Sequence, residues 1–259
     1  MTNHSRERLR ETFNRSADTY DQIRPGYPDT LINDVIGLSG IPKQGRILEI
    51  GCGTGKATEP FASRGYSMDC LDIGSDLAAV AAIKFRRFGK VRIVVSSFED
   101  WEPNDRLYDL VIAATSFHWV DPKVAHVKSA AVLKSSGALA VFSNTPVRTN
   151  KGFFARVQDV YRACAPSLTS DAPRPGKEQQ EPAGLELFQE PIIRRYPWST
   201  QYSTDQYIEL LGTYSDHISL PDAEKTALLR GIADLIDEEF GGRVLKHHEA
   251  VLTCRKIRT

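Results

Sequence analysis

Through its first 145 residues the chain alternates short apolar runs with stretches of helical spacing. Residues 47–50 are almost continuously apolar, as in strands buried on both faces of a sheet. Four further runs, at about 67–71, 92–95, 110–114 and 138–143, predict strands. Helical spacing between them predicts helices over 75–88, capped by Ser75 or Asp76, and over about 122–133. An earlier helix is predicted from Asp29 or Thr30, as cap, to about Leu38. It follows a turn in which two prolines bracket a glycine, Arg24-Pro25-Gly26-Tyr27-Pro28. Leu9, Phe13 and Ala17, four apart, predict a helix within 1–22. Pro60 is tolerated only in a first helical turn, so the helix around it should start late, capped by Thr58. Strands alternating with helices imply parallel β-α-β units with right-handed crossovers.

Beyond residue 145 the pattern changes. Prolines 146, 166, 173 and 175 stand in polar surroundings. They predict an inserted helical cap, with one helix over 153–163 and a mobile loop over 168–182. Residues 192–196 and 198–202 fit one bent strand, 204–211 and 221–239 fit helices, and 250–254 fits a last strand that can reach 257. The expected divisions are 1–40 as an N-terminal helical lid, 41–145 as the core, 146–190 as the cap, and 191–259 as the remaining core with substrate-side elements, all in one structural domain.

Composition narrows the function classes. Of 259 residues, 41% are hydrophobic and 25% charged, with formal net charge zero, which is ordinary globular usage. No long basic run is present, which disfavours a nucleic-acid substrate. No stretch approaches the ~20 apolar residues of a membrane span, and residues 1–15 are polar and charged without a signal-peptide pattern. The expected address is the cytoplasm. Cys52, Cys70, Cys164 and Cys254 lack C-x-x-C spacing, so reduced, mostly buried thiols are expected and not a zinc or redox site. The histidines are scattered, and the adjacent His247 and His248 would face opposite ways in a strand. No metal site is expected. Oligomeric state is not legible.

The chemistry concentrates after the first strand, in Glu49-Ile50-Gly51-Cys52-Gly53-Thr54-Gly55. Alternating glycines let the main chain take positive φ and let a ligand approach it. The spacing is not that of the dinucleotide fingerprint, because Lys56 stands where its third glycine belongs. It is not a phosphate-binding P-loop either: Ala57 replaces the hydroxyl residue and Ile50 the first glycine. Glu49 would place like charge near a diphosphate, so a cationic ligand fits better.

From these residues onward the chain resembles the class I S-adenosylmethionine (SAM) dependent methyltransferases. Their first motif is an acidic residue, any residue, then G-x-G-x-G. Ser67–Ile73 resembles the second strand with its ribose-binding acid, and Val95–Asp100 the segment beside the adenine. Tyr108–Val120 resembles the fourth strand and its loop, and Leu133–Phe142 the lysine-containing turn and fifth strand. Arg24–Pro28 and Thr213–Ser215 more loosely resemble a small-molecule branch that includes trans-aconitate methyltransferases. The resemblance implies a Rossmann-like, doubly wound α/β fold: a mostly parallel seven-stranded sheet, helices on both faces, and a helical cap insertion.

The resemblance further implies cofactor contacts from Glu49, Gly51, Cys52, Gly53, Gly55, Asp72, Ile73, Ser97, Phe98, Glu99, Ala114 and Thr115. Tyr20 and Arg24 would act as a lid over the methionine end of SAM. Asp72 lies about 20 residues after the glycine loop, where a carboxylate reaches ribose hydroxyls; a helix cap or surface acid is the alternative. Glu49 acts on the cationic part of SAM directly or through the loop, unless it is a purely structural carboxylate. Phe98 fits core packing as well as an adenine contact. Tyr27, Trp119, Tyr214 and His217 are the substrate-side candidates, and His118 is the general-base candidate. The leading function is methyl transfer to a small organic acceptor, through a carboxylate or phenolic oxygen, with S-adenosylhomocysteine as product. The alternatives are a SAM-binding protein without transfer and a nicotinamide-dependent oxidoreductase.

Overall fold

A computed structural model describes residues 21, 23–103, 107–147, 149–169 and 182–258. The helix expected within 1–22, with Tyr20, falls almost entirely outside the described residues, as does most of the loop expected over 168–182.

Seven strands form one sheet: β1 (Arg46–Ile50), β2 (Ser67–Asp72), β3 (Val91–Val95), β4 (Tyr108–Ala114), β5 (Leu133–Pro146), β6 (Ile192–Ser203) and β7 (Arg243–Lys256), in the order β3-β2-β1-β4-β5-β7-β6. The β3-β2-β1-β4-β5 portion is parallel throughout, and the sheet is mostly parallel with one antiparallel hairpin. From β1 the chain winds outward through β2 and β3, then returns to the other side of β1 with β4. This reversal leaves a crevice at the carboxyl ends of β1 and β4, where such sheets bind ligands. The strands that form it are dry: Ile47, Leu48, Leu110, Val111 and Ile112 are fully buried. Asp69 ties four strands together, accepting from Arg46, Arg92 and Tyr108 at 3.2, 2.7 and 2.6 Å.

The helices are α1 (Asp29–Ser39), α2 (Thr58–Ala62), α3 (Ser75–Phe85), α4 (Pro122–Val132), α5 (Phe153–Cys164), α6 (Thr204–Gly212), α7 (Ser215–Ile218) and α8 (Asp222–Phe240). The described residues divide into two compact units, whose spans are given by their end points in the chain. One comprises Pro25–Thr145, Gln179–Pro197 and Glu249–Thr259, and its core joins Leu48, Leu71, Phe98, Trp101, Val111 and Phe188. The other takes in Met1–Arg24, Pro146–Glu178 and Trp198–His248, with a core of Ile23, Phe153, Tyr207, Leu228, Ile232 and Ile236.

Several expectations are corrected. The cap of α1 is Pro28, extended at ψ 139, not Asp29 or Thr30. Gly74 precedes α3, so Ser75 and Asp76 lie within its first turn, and α3 stops at Phe85. Pro60 does sit in the first turn of α2, but Thr58 does not cap it; its hydroxyl donates to Glu49 instead. A buried carboxylate loses more by standing unpaired than a helix end that can turn to water. The last strand begins at Arg243, seven residues earlier than expected.

Candidate functional site

β1 delivers the chain into the glycine loop at the crevice. Gly51, Gly53 and Gly55 have φ of +68°, +55° and +87°, conformations that strain any residue with a Cβ. Their surroundings divide them. A Cβ on Gly51 would lie 2.5 Å from Ser116 Cβ, and one on Gly55 would lie 2.0 Å from Phe85 Cε2. These two glycines admit neighbouring side chains. A Cβ on Gly53 would meet nothing within 4 Å, so here the bare main chain borders open space. Thr54 Oγ1, beside it, is buried without a hydrogen-bond partner among the described residues. The open stretch of glycine backbone fits the close approach of a ligand.

Asp72 ends β2 one strand over. Its Oδ2 accepts from Gly53 N at 2.7 Å and its Oδ1 from Gly74 N at 2.8 Å. The acid therefore shapes the loop as well as standing beside it. Beyond it, Ile73 is 46% exposed, and Val95, opposite Asp72 in register, is 59% exposed. Both are exposed apolar side chains at the carboxyl ends of β2 and β3.

Glu49 is 1% exposed, and its Oε2 accepts from Thr58 Oγ1 at 2.6 Å. Burial raises its pKa from 4.5 to about 7, against the Thr58 and Cys70 hydrogen bonds, with the nearby Asp72 charge adding to the rise. Of the two roles open to it, direct pairing or action through the loop, this arrangement fits the second. Burial also pushes the Cys52 thiol well up, as suits a small packed side chain and not a nucleophile.

Phe98 is 3% exposed and stacks on Trp101 in the core, ring centres 6.5 Å apart, which accords with the packing alternative for its side chain. Glu99 Oε1 accepts from Asp121 N at 2.9 Å, fastening the loop ahead of α4. Ser97 Oγ donates to Asp100 at 2.7 Å.

At the end of β4, Ala114 is half-buried and Thr115 is exposed, with φ of +59° despite its β-branch. Such strain persists where surroundings enforce it. Here Thr115 N donates to Phe142 O at 2.8 Å, and Thr115 Oγ1 shares a 2.8 Å hydrogen bond with Tyr27. Tyr27 packs edge-on against Phe142 at 4.8 Å, and Asn144 Nδ2 donates to Gly26 O at 2.8 Å. The turn after Arg24 is thus pinned over the ends of β4 and β5. Ser116 Oγ donates to Ile50 O, joining the two sides of the crevice. His118 is exposed in the following 3-10 turn, its ring 4.8 Å from that of Trp119. Ser116, Thr54 and Asn144 escaped the sequence reading; only their positions beside strand ends could have marked them.

Arg24, Tyr214 and His217 belong to the other unit. Arg24 donates to Thr213 Oγ1 and Thr213 O, both at 2.9 Å, with its guanidinium 4.5 Å from the centre of the Tyr214 ring. His217 is buried between Tyr161 Oη at 2.7 Å and Asp216 Oδ1 at 2.8 Å. No metal-binding group of His, Cys, Asp or Glu is found among the described residues, and none of their helices is long and apolar enough to cross a membrane.

Residues 47–137 match the methyltransferase domain family. Malonyl-(acyl-carrier protein) O-methyltransferase 1 of Ilyobacter polytropus is 31% identical over 124 residues, 46% of this chain and 45% of that protein. Trans-aconitate 2-methyltransferase of Variovorax paradoxus is 28% identical over 102 residues, 39% of each. The chain spans about half the length of the curated relatives it matches. A candidate Type II methyltransferase from Anaeromyxobacter dehalogenans shares the fold at TM-score 0.65 and 23% identity, over 89% of this chain and 97% of that one. Residues 47–137 therefore match a methyltransferase domain, and the sheet that carries them has a fold shared with solved methyltransferases.

Proposed function

We propose that the chain transfers a methyl group from SAM to an oxygen of a small organic molecule. The observation that carries this reading is the open main chain at Gly53, held by Asp72 and bordered by the exposed Ile73. In this reading the Gly53 backbone and the loop N–H groups take the amino-acid end of the cofactor. Asp72 accepts from the ribose hydroxyls, and Ile73 and Val95 cover the adenine. Glu49 fixes the loop from beneath, while Ala114 and Thr115 border the cofactor from β4. When bound, SAM supplies a methyl carbon already activated by its sulfonium. The chain's own task is then to align the acceptor and exclude water, worth up to ~7–11 kcal/mol in favourable cases.

Two relatives bear on the acceptor: one is named an O-methyltransferase and the other a trans-aconitate methyltransferase. A carboxylate needs no base at neutral pH. A phenol does, and His118, exposed beyond the end of β4, is then the candidate. The zero formal charge favours a small acceptor over nucleic acid.

Titration calorimetry with SAM tests the reading. Asp72→Ala should abolish measurable binding, since it removes the ribose acceptor and releases Gly53 N together. Asp72→Asn should weaken binding at least ~10-fold, as loss of a charged hydrogen-bond acceptor does. Unchanged affinity in both variants would defeat it. Product formation over a panel of carboxylic acids and phenols then separates transfer from binding alone.

A further inference from the structure

β7 alternates strictly along its length, and its buried positions are Val244, Lys246, His248, Ala250, Leu252 and Cys254. A lysine therefore interrupts the inward row at 6% exposure. Lys246 Nζ donates to Tyr214 Oη at 2.7 Å and lies 5.0 and 5.8 Å from the centres of the Tyr214 and Tyr207 rings. Arg24 covers the same Tyr214 ring at 4.5 Å. Two cations thus share one tyrosine in a largely buried setting, and no carboxylate among the described residues forms an ion pair with Lys246. Nearby, the hydroxyls of Thr200 and Tyr202 on β6 are buried without hydrogen-bond partners among the described residues. All of these groups belong to one unit.

An ammonium has three donors, and Lys246 spends one on Tyr214. The Tyr214 oxygen accepts that bond, so its own proton remains to be donated. Tyr202 adds a further hydroxyl beside that of Thr200, close enough that Arg24 and Tyr214 both act on its ionisation. Around Lys246 the cluster is rich in donors, two left on the ammonium and one on Tyr214. Burial, with Arg24 adding to the effect, lowers the Lys246 pKa to about 8, the response of a cation held from water without an anion. Burying a charge without a partner is costly, and an incoming carboxylate would relieve that cost with two acceptor oxygens.

We propose that Lys246, with Arg24 and the hydroxyls of Tyr202 and Tyr214, forms a binding site for the carboxylate of a small organic acid. Only the step of calling that acid the methyl acceptor rests on the methyltransferase reading; the binding does not.

The test is titration calorimetry of the full chain with succinate, its dimethyl ester and inorganic phosphate, in wild type, Lys246→Met and Lys246→Arg. Wild type should bind succinate, with little or no heat from the ester or phosphate. Lys246→Met should weaken succinate at least ~10-fold, and Lys246→Arg less, as expected for a charged hydrogen bond. Equal succinate affinity in wild type and Lys246→Met overturns the proposal, as does absence of succinate binding to wild type or a preference for phosphate. A second measurement needs no variant: acetic anhydride labelling of Lys246, followed by mass spectrometry, should slow several-fold with succinate present, and an unchanged rate also overturns it. SAM is titrated alongside. A chain that binds succinate but not SAM refutes the methyltransferase reading alone, and the reverse result refutes only the carboxylate site.

Discussion

Glu49→Gln offers a direct test of how the glycine loop is supported. The substitution keeps the side-chain shape and an oxygen for Thr58, removes the capacity to ionise, and turns the other carboxyl oxygen into an NH2 group. Glu49 is 1% exposed, and burial raises its pKa from 4.5 to about 7. Between those values the folded chain holds a proton that the unfolded chain has released. The stability this proton confers is fully present below pH 4.5 and is lost as pH rises through 7. At ~1.36 kcal/mol per pH unit, the loss is on the order of 3 kcal/mol. Glutamine cannot titrate, so the stability of the variant minus that of wild type should rise by about that amount from pH 4.5 to 8, then level off. Urea denaturation of both proteins across this range measures it. A difference that stays flat would show that Glu49 is not desolvated as its burial requires. A difference that falls with pH would mean the carboxylate ionises more readily in the folded chain, held by a cation, and the account of the loop would be wrong.

The glycines of the loop should separate stability from binding. Gly55→Ala combines a positive φ with a Cβ 2.0 Å from Phe85 and should destabilise the fold by ~2–5 kcal/mol in thermal unfolding. Gly53→Ala meets no atom within 4 Å and should cost only the ~1–2 kcal/mol of its positive φ, while SAM affinity in calorimetry falls at least ~10-fold. The opposite ranking would place the ligand elsewhere. Tyr27→Phe removes the 2.8 Å bond to Thr115 and keeps the ring on Phe142. It should lower stability by about 1 kcal/mol in urea denaturation, and a loss beyond ~3 kcal/mol would mean the hydroxyl does more than pin the turn.

The parallel half of the sheet was legible because each of its strands is a local signal. A run such as Ile47–Ile50 is apolar for reasons its neighbours do not alter, and the glycine loop with an acid two residues before it is a contiguous pattern. β7 was only half legible. Its inward row carries Lys246 and His248, so the period of two that marks a half-buried strand is masked where the chemistry sits. The helix caps failed for a related reason: Thr58 is a good cap by type, but a buried carboxylate elsewhere in the chain claims its hydroxyl. Phe98 lies beside residues with cofactor resemblance, yet only packing reveals that its ring faces Trp101.

Sequence alone therefore determined the order of strands and helices, the position of the glycine loop and the acid on the next strand, because these depend on periodicity and backbone freedom within short windows. Tertiary structure decided which of the three glycines borders open space, that Glu49 is sealed beneath the loop, and that Lys246 and Arg24 share one tyrosine. Each of those depends on what distant segments bring alongside. Desolvation and unshared hydrogen bonds, which shape the behaviour of all these groups, are properties of the assembled surroundings and leave no mark in the local order of residues.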